Sequence, residues 1–500
     1  MYHEHPLRIL KYSVKNIWLL IFPLIRNLRN LEFNKDFFYN WIQGAWFDVL
    51  ILAIILIFGI IQWFLSEIDI NEDNIIHKEG ILIKVKTIIP VSSISTFTIE
   101  SPMHLSLFGA YRVHCDTRAG IFRTADLKLL LKKQVCSEIE KNFKVQSDNQ
   151  KTTEIPKPSL FSILIFSYLF SSGFSGIIYI IIFLFKGGDI AQDIITLSLS
   201  KITSETEKLT NHWIIHIPSV AIVVGSFFGF SWLISFIVNV ARYLRFKVEY
   251  DNRYFKVSHG IYNHIESHIC FRHINYTDYR QNLIMKMFGA VAIHISCSGY
   301  GSTTNRLPVI IPVILEKNLG KELEPIKITG KLKGDYRAKK SGFLSYLLLP
   351  LVASIIILPL FDKISFYLPQ FYDLLFFVSI MLEIPSLWLI IVKLAALNTS
   401  GISVYEDNIL IRYSKWTNFY TVTSPISNIT KVEIQQNLLQ KMSGLCSVSI
   451  SIGSEEHKHC MVRAMNISDG LQISEMLNSR ISTIKQINIS EKSLDNNDEK

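Results

Sequence analysis

Few residues in this chain have types and spacings that could do chemistry. His259, His264, His268 and His273 recur at intervals of five, four and five, and imidazole is a common zinc ligand. In extended structure those intervals place the rings on different faces, and no HExxH or paired Cys/His framework accompanies them. The tetrapeptide HKHC at 457–460 is too compact, in a hairpin, to converge on one ion. Glu383 lies mid-way through an apolar run, two residues before Pro385. An ionisable group at bilayer depth costs roughly 2.5–3.5 kcal/mol on insertion scales and often marks a transport pathway. Proline there frees a backbone carbonyl. The plain alternative is a neutral carboxyl hydrogen-bonded to a neighbouring helix. No phosphate-binding loop, nucleophile triad or paired-carboxylate signature stands out. No catalytic, cofactor-binding or metal residue is therefore assigned, and the expectation is a non-enzymatic protein with no cofactor.

The elements that must carry these residues are mostly apolar. The chain has 500 residues, 49% of them hydrophobic and 12% aromatic, gathered into uncharged runs near the ~20 residues that a helical crossing needs. The pattern predicts a multi-pass α-helical membrane protein with three hairpins, at 11–65, 159–241 and 343–397. The stretch 11–31 is the weakest span, because its uncharged core IWLLIFPLI is short and flanked by Lys11, Lys15, Arg26 and Arg29; an interfacial helix is the alternative. Gly225 and Gly229 form a GxxxG pattern inside a span. Such a pattern lets helices approach closely, either against Ser171–Gly176 of the same hairpin or in a dimer. Arg242, Arg245 and Lys247, then Lys331, Lys333, Arg337, Lys339 and Lys340, flank the spans on one side. The positive-inside bias puts the soluble segments in the cytoplasm of the cell membrane. The net charge of +9 is spread without a basic stripe interleaved with aromatics, so anionic lipid, not nucleic acid, is the expected partner of these charges. The six cysteines are scattered with no CxxC, which argues against a disulfide framework.

After each hairpin the same soluble pattern recurs, at 66–145, 244–330 and 398–482, before a polar tail at 483–500. Each copy opens with a strand-like run carrying Asp-Asn, as in IDINEDNIIHKEG, VEYDNRYFKVSHG and ISVYEDNILIRYSK. Asp-Asn is turn chemistry. Each continues to an isoleucine (Ile94, Ile274, Ile429) and, fifteen residues on, a glycine (Gly109, Gly289, Gly444). A further strand follows, and then a helix-like stretch, 126–143 in the first copy and 469–482 in the third. Between isoleucine and glycine the second copy reads QNLIMKMFG and the third QNLLQKMSG. The shared residues are Gln281/Gln436, Asn282/Asn437, Leu283/Leu438, Lys286/Lys441, Met287/Met442 and Gly289/Gly444. The first copy, SPMHLSLFG, keeps only Phe108 and Gly109 of the second. Leu283, Ile284, Met287 and Phe288 are expected to cover the open end of a small sheet, with Lys286 turned to solvent. The glycine would permit a positive φ or a close approach.

This pattern resembles the bacterial pleckstrin-homology-like (PH-like) domain. Three copies, each behind a hairpin, resemble the YdbT-type membrane proteins of Gram-positive bacteria. The resemblance implies a bent antiparallel sheet capped by a C-terminal helix and no catalytic residues. It suggests a membrane-anchored scaffold, assembling with itself or with a smaller single-domain relative in envelope stress or antimicrobial response. A transporter or export accessory built on Glu383, and an anionic-lipid-binding module, are the other readings.

Overall fold

The computed structural model describes residues 2–11, 46–118, 125–145, 153–170, 219–297, 309–316, 336–454 and 458–480, apart from isolated positions within them. The first repeat contains β1 (Tyr2–His3), α1 (Trp46–Phe64), β2 (Glu67–Ile70), β3 (Asn74–Glu79), β4 (Val85–Pro90), β5 (Ile94–Pro102), α2 (Met103–Ser106), β6 (Ala110–Thr117), β7 (Leu127–Lys132) and α3 (Lys133–Val145). The second has β8 (Thr153–Glu154), α4 (Leu160–Phe170), α5 (Ser219–Tyr243), β9 (Lys247–Tyr250), β10 (Tyr254–His259), β11 (Asn263–Cys270), β12 (Ile274–Asn282), α6 (Leu283–Met287), β13 (Ala290–Cys297) and β14 (Val309–Leu315). The third has β15 (Tyr336–Arg337), α7 (Leu344–Tyr367), α8 (Tyr372–Thr399), β16 (Gly401–Val404), β17 (Asn408–Lys415), β18 (Asn418–Pro425), β19 (Ile429–Gln435), α9 (Leu438–Met442), β20 (Leu445–Ile452) and β21 (Lys458–Asn466). A closing helix, α10, runs over 467–480.

The expected local chemistry repeats. A turn closes by the same kind of bond each time, Asn71 N–H to the Asn74 carbonyl, Asp251 to Tyr254 and Tyr405 to Asn408, with Asp-Asn at its end in the first and third copies and at its start in the second. A short 3₁₀ turn precedes each repeat isoleucine, at Val91–Ser93, Phe271–His273 and Ile426–Asn428. One expectation needs correction. The stretch 126–143 is not all helix, because Leu127, Leu129 and Leu131 alternate with period two and form β7 against β6. The helix starts only at Lys133.

By chain contacts the molecule divides into two units, Met1–Glu154 with Glu249–His273 and Ser298–Arg306, and Ile155–Val248 with Ile274–Cys297 and Leu307–Lys500. The cut falls between β11 and β12, inside the second repeat. In the first unit, Ile68, Ile75, Phe97, Val113, Leu131 and Ile139 form a core drawn from both sheets of the first repeat and from α3. In the second, Ile402, Ile411, Val422, Val448, Ile450, Ile473 and Leu477 do the same for the third repeat. Ile473 and Leu477 sit one turn apart, the spacing that buries one stripe of a helix. Each such fully buried side chain contributes about 1.5–3 kcal/mol by area.

Three helices are long and apolar enough to cross a membrane among the described residues, over Gly225–Tyr243, Lys340–Tyr367 and Leu375–Thr399; α1 adds a shorter apolar stretch, Ile55–Phe64. The expected span at 11–31 and the second half of 159–185 lie outside the described residues. Each hairpin is preceded by a two-residue strand with no sequence signature of its own. These strands pair with the first strand after the hairpin: β1 with β2, β8 with β9 and β15 with β16.

Candidate functional site

The repeats are joined to each other by strand pairing. Strand β5 of the first repeat pairs antiparallel with β11 of the second, from Pro102 opposite Asn263 to Thr96 opposite Ile269. Strand β12 of the second pairs in the same way with β18 of the third, from Thr277 opposite Thr423 to Asn282 opposite Asn418. Phe97, three residues after the first repeat isoleucine, faces His268, six before the second. Thr277, three after the second isoleucine, faces Thr423, six before the third. The register is therefore the same at both junctions. Two seven-stranded sheets result, β7-β6-β5-β11-β10-β9-β8 and β14-β13-β12-β18-β17-β16-β15.

Each junction carries its own charge cluster. At the first, Lys256 Nζ lies 2.8 Å from Glu140 and 3.4 Å from Glu266, and His264 lies 3.1 Å from Glu266. The hydrogen bond from His264 draws the Glu266 carboxyl down to about 2, against burial and with help from Lys256. Glu140, Glu266 and His268 are close enough together to hold a metal ion, and the Lys256 ammonium is paired with both of these carboxylates. Of the four histidines, only His264 and His268 join this cluster. At the second junction, Asp278 is fully buried and accepts hydrogen bonds from Arg280 and Lys458, both at 2.9 Å. Lys458 also lies 4.9 Å from the Tyr420 ring centroid. His294, opposite Asp278 across β12 and β13, is held well below its ordinary range by burial and by Arg280 and Lys458. A neutral ring fits beside two cations.

The repeated QNLxxKMxG segment folds as a knuckle between β12 and β13, and between β19 and β20. Gln281 donates to the Ala290 carbonyl at 2.8 Å and Gln436 to that of Leu445 at 2.7 Å. Asn282 and Asn437 cap α6 and α9 by accepting from the backbone N–H of Met285 and Gln440, as N-cap residues do. Gly109, Gly289 and Gly444 have φ of 68°, 61° and 66°. A Cβ at any of them meets nothing within 4 Å, so the backbone angle, not space, calls for glycine. The side-chain expectation is reversed. Met285 is the buried residue, whereas Met287 and Phe288 point outward. Lys286 folds back to donate to Thr399 at 3.0 Å and stack 4.0 Å from the Phe419 ring. The short helix turns its middle residue inward, and the lysine finds a ring and a hydroxyl there. Leu107, Met287 and Met442, each two residues before the repeat glycine, are 77%, 76% and 87% exposed. Lys441 shows no such contact, and Leu283 and Leu438 differ, half-buried and exposed.

Glu383 Oε1 accepts a 2.6 Å hydrogen bond from Ser354 of α7. Ser354 in turn meets Ser386, which donates to the Pro350 carbonyl. This ties α7 to α8 on either side of Pro385. Gly225 and Gly229 have no heavy atom of the described residues within 4 Å of an added Cβ; Ser171–Gly176, expected opposite, lies outside the described residues. In the first unit, a cleft of about 620 Å³ brings Leu7, Leu10 and Phe108 together with Lys11, Arg112 and Lys128. Sequence reading found the knuckles but neither the junctions nor this cleft.

Small antiparallel sheets repeated three times, closed by a C-terminal helix in the first and third copies among the described residues, define a pleckstrin-homology-like repeat protein. The chain belongs to the bacterial PH domain family, whose model matches it over residues 27–144, 194–319 and 351–481. No curated protein and no solved structure matches the chain at a significant level.

Proposed function

We propose that the chain is a membrane-anchored, non-enzymatic scaffold that holds three PH-like domains as one strand-linked array along the cytoplasmic face. The observation that carries this reading is the equal register of the two junctions. Long-range strand pairing ties each repeat to a strand of the next as a flexible tether would not, and ties of this kind are what a scaffold needs. The lead strands support an even number of crossings per hairpin. Because β1 bonds to β2, the chain returns after α1 to the sheet from which it left. The exposed knuckle residues support docking at the lipid surface. Lys286 touches Thr399, the last residue of α8, and Gln440 lies 3.4 Å from Ser345 at the start of α7, which sets the apolar tips level with the ends of the membrane hairpin. Amphipathic edges of this kind enter the headgroup boundary. The resemblance to Gram-positive multi-domain membrane proteins favours a role in envelope stress, with a smaller single-domain protein as a partner.

The test is crosslinking of the tagged full chain in native membranes, followed by purification. A complex larger than one chain is expected; recovery of a bare monomer would sink the scaffold reading. The cleft in the first unit favours a second role, binding an anionic lipid headgroup. Its lining gathers Arg8, Lys11, Arg112 and Lys128 around one carboxylate, Glu100. Here Arg112→Gln should weaken retention of anionic lipid by the full chain in mixed nanodiscs, and unchanged retention would remove the idea. The transport reading has weaker support, because Glu383 is already engaged by Ser354 within its own hairpin.

A further inference from the structure

The two junctions use the same pair of edges each time: the strand after the repeat isoleucine from one domain, and the strand before it from the next. Three domains joined in this way leave one edge of each kind unused. Among the described residues, β4 is the outermost strand of the sheet β1-β2-β3-β4, and β19 is the outermost strand of β19-β20-β21. By repeat position β4 corresponds to β11 and β18, and β19 corresponds to β5 and β12.

We propose that β19 of one copy pairs antiparallel with β4 of a second copy, in the register of the internal junctions, so that chains join head to tail. This rests on the scaffold reading and names its partner. The register places Val432 opposite Ile88 and Gln435 opposite Val85. Exposure matches the assignment. Val85 and Ile88 are 48% and 50% exposed, whereas Ile265 and His268, at the same positions in β11, are 5% and 6% exposed where β5 covers them. An open edge is normally blunted by charge, proline or a covering element. Strand β4 has one charge among its central residues, Lys86, and its only proline, Pro90, ends it. Pro425 occupies the corresponding place in β18, just outside the paired stretch, so proline at this position is compatible with a junction. On β19, Val432 and Ile434 are only half-covered. A head-to-tail contact between unlike edges closes into a ring or extends as a filament. Confinement of every copy to one membrane raises the effective concentration that drives it.

The test uses the full chain, co-expressed as two differently tagged copies, one carrying Val85→Cys and the other Gln435→Cys, with short bis-maleimide crosslinking in native membranes. The expected result is a mixed-tag product at least tenfold stronger than that from Val85→Cys with Gln472→Cys, an exposed control on α10. A third variant, Ile88→Lys, places a charge in the proposed contact at a half-exposed position, and should reduce the purified assembly to a single chain while the protein stays folded. Three outcomes would overturn the proposal: no Val85–Gln435 product above the control, an assembly of unchanged size in Ile88→Lys, or a shorter protein held at either edge in place of a second copy. If the chain holds a different protein but never itself, this inference falls and the scaffold reading stands.

Discussion

Asp278 tests whether the second junction is a specific lock or an incidental seam. Among the described residues it is the anion that pairs with Arg280 and Lys458, whose side chains are 21% and 17% exposed. In Asp278→Asn the shape is kept and one acceptor oxygen survives, but two cations are left in a largely desolvated seam without a counter-charge. Removing one partner of a buried ion pair costs about 3–5 kcal/mol; partial exposure lets the cations recover some hydration, which lowers this to roughly 2–4 kcal/mol. For the second unit, some three hundred residues, that corresponds to a fall of roughly 3–6 °C in melting temperature. The assay is thermal unfolding of the detergent-solubilised full chain, with hydrogen exchange resolving the β12 and β18 peptides. Lys458→Met alone removes one cation and leaves the Asp278–Arg280 pair, so its penalty should be smaller. The double variant should be no less stable than Asp278→Asn. A melting temperature for Asp278→Asn within about 1 °C of the parent, or single penalties that add in full, would refute the reasoning.

Other consequences follow from the same physics. Burial, opposed by Arg8, pushes Glu4 up to about 7. Its raised value means that docking of residues 2–11 is strongest below pH 4.5 and weakens as pH rises through 7, by on the order of 3 kcal/mol; Glu4→Gln should flatten this in hydrogen exchange corrected for intrinsic rate. Glu266 runs the opposite way, contributing above pH 4.5 and losing its contribution as pH falls toward 2, so β11 should lose exchange protection in that acid window. Gly444→Ala should cost about 1–2 kcal/mol from the left-handed backbone alone, with no clash. Gly342→Ala should cost more, because its Cβ would lie 2.3 Å from that of Ala464; equal penalties would contradict the φ argument. A fluorophore on Met442→Cys should shift to the blue in the reconstituted chain, and an unshifted spectrum would place that knuckle in water.

Much of the architecture was legible because it is written locally. Asp-Asn turns, the isoleucine-to-glycine spacing and apolar runs each report on a few adjacent residues, and their triple recurrence set them in register. The lead strands escaped because two residues carry no periodicity. Strand β7 is ambiguous in sequence because the Leu-rich run LKLLLK suits helix or strand until alternation is weighed against its length. The junctions escaped for a deeper reason. Nothing in Thr96–Pro102 names its partner; that choice depends on which edges remain open once each small sheet has formed. Lys286 was assigned to solvent because lysine usually goes there, and Phe419 and Thr399, far along the chain, decided otherwise.

The first junction also sets a timetable for the chain as it is made. Thr98 and Ser267, whose hydroxyls meet across β5 and β11, are 169 residues apart. At ~5–20 residues per second of synthesis, β5 waits roughly 10–30 s for its neighbour. Through that interval the newborn first domain presents β5, in which Phe97 and Ile99 alternate with threonines, as an unpaired edge. A chain truncated after the first repeat would present it permanently, and so should aggregate or be degraded where a chain ending after the second repeat has that edge covered.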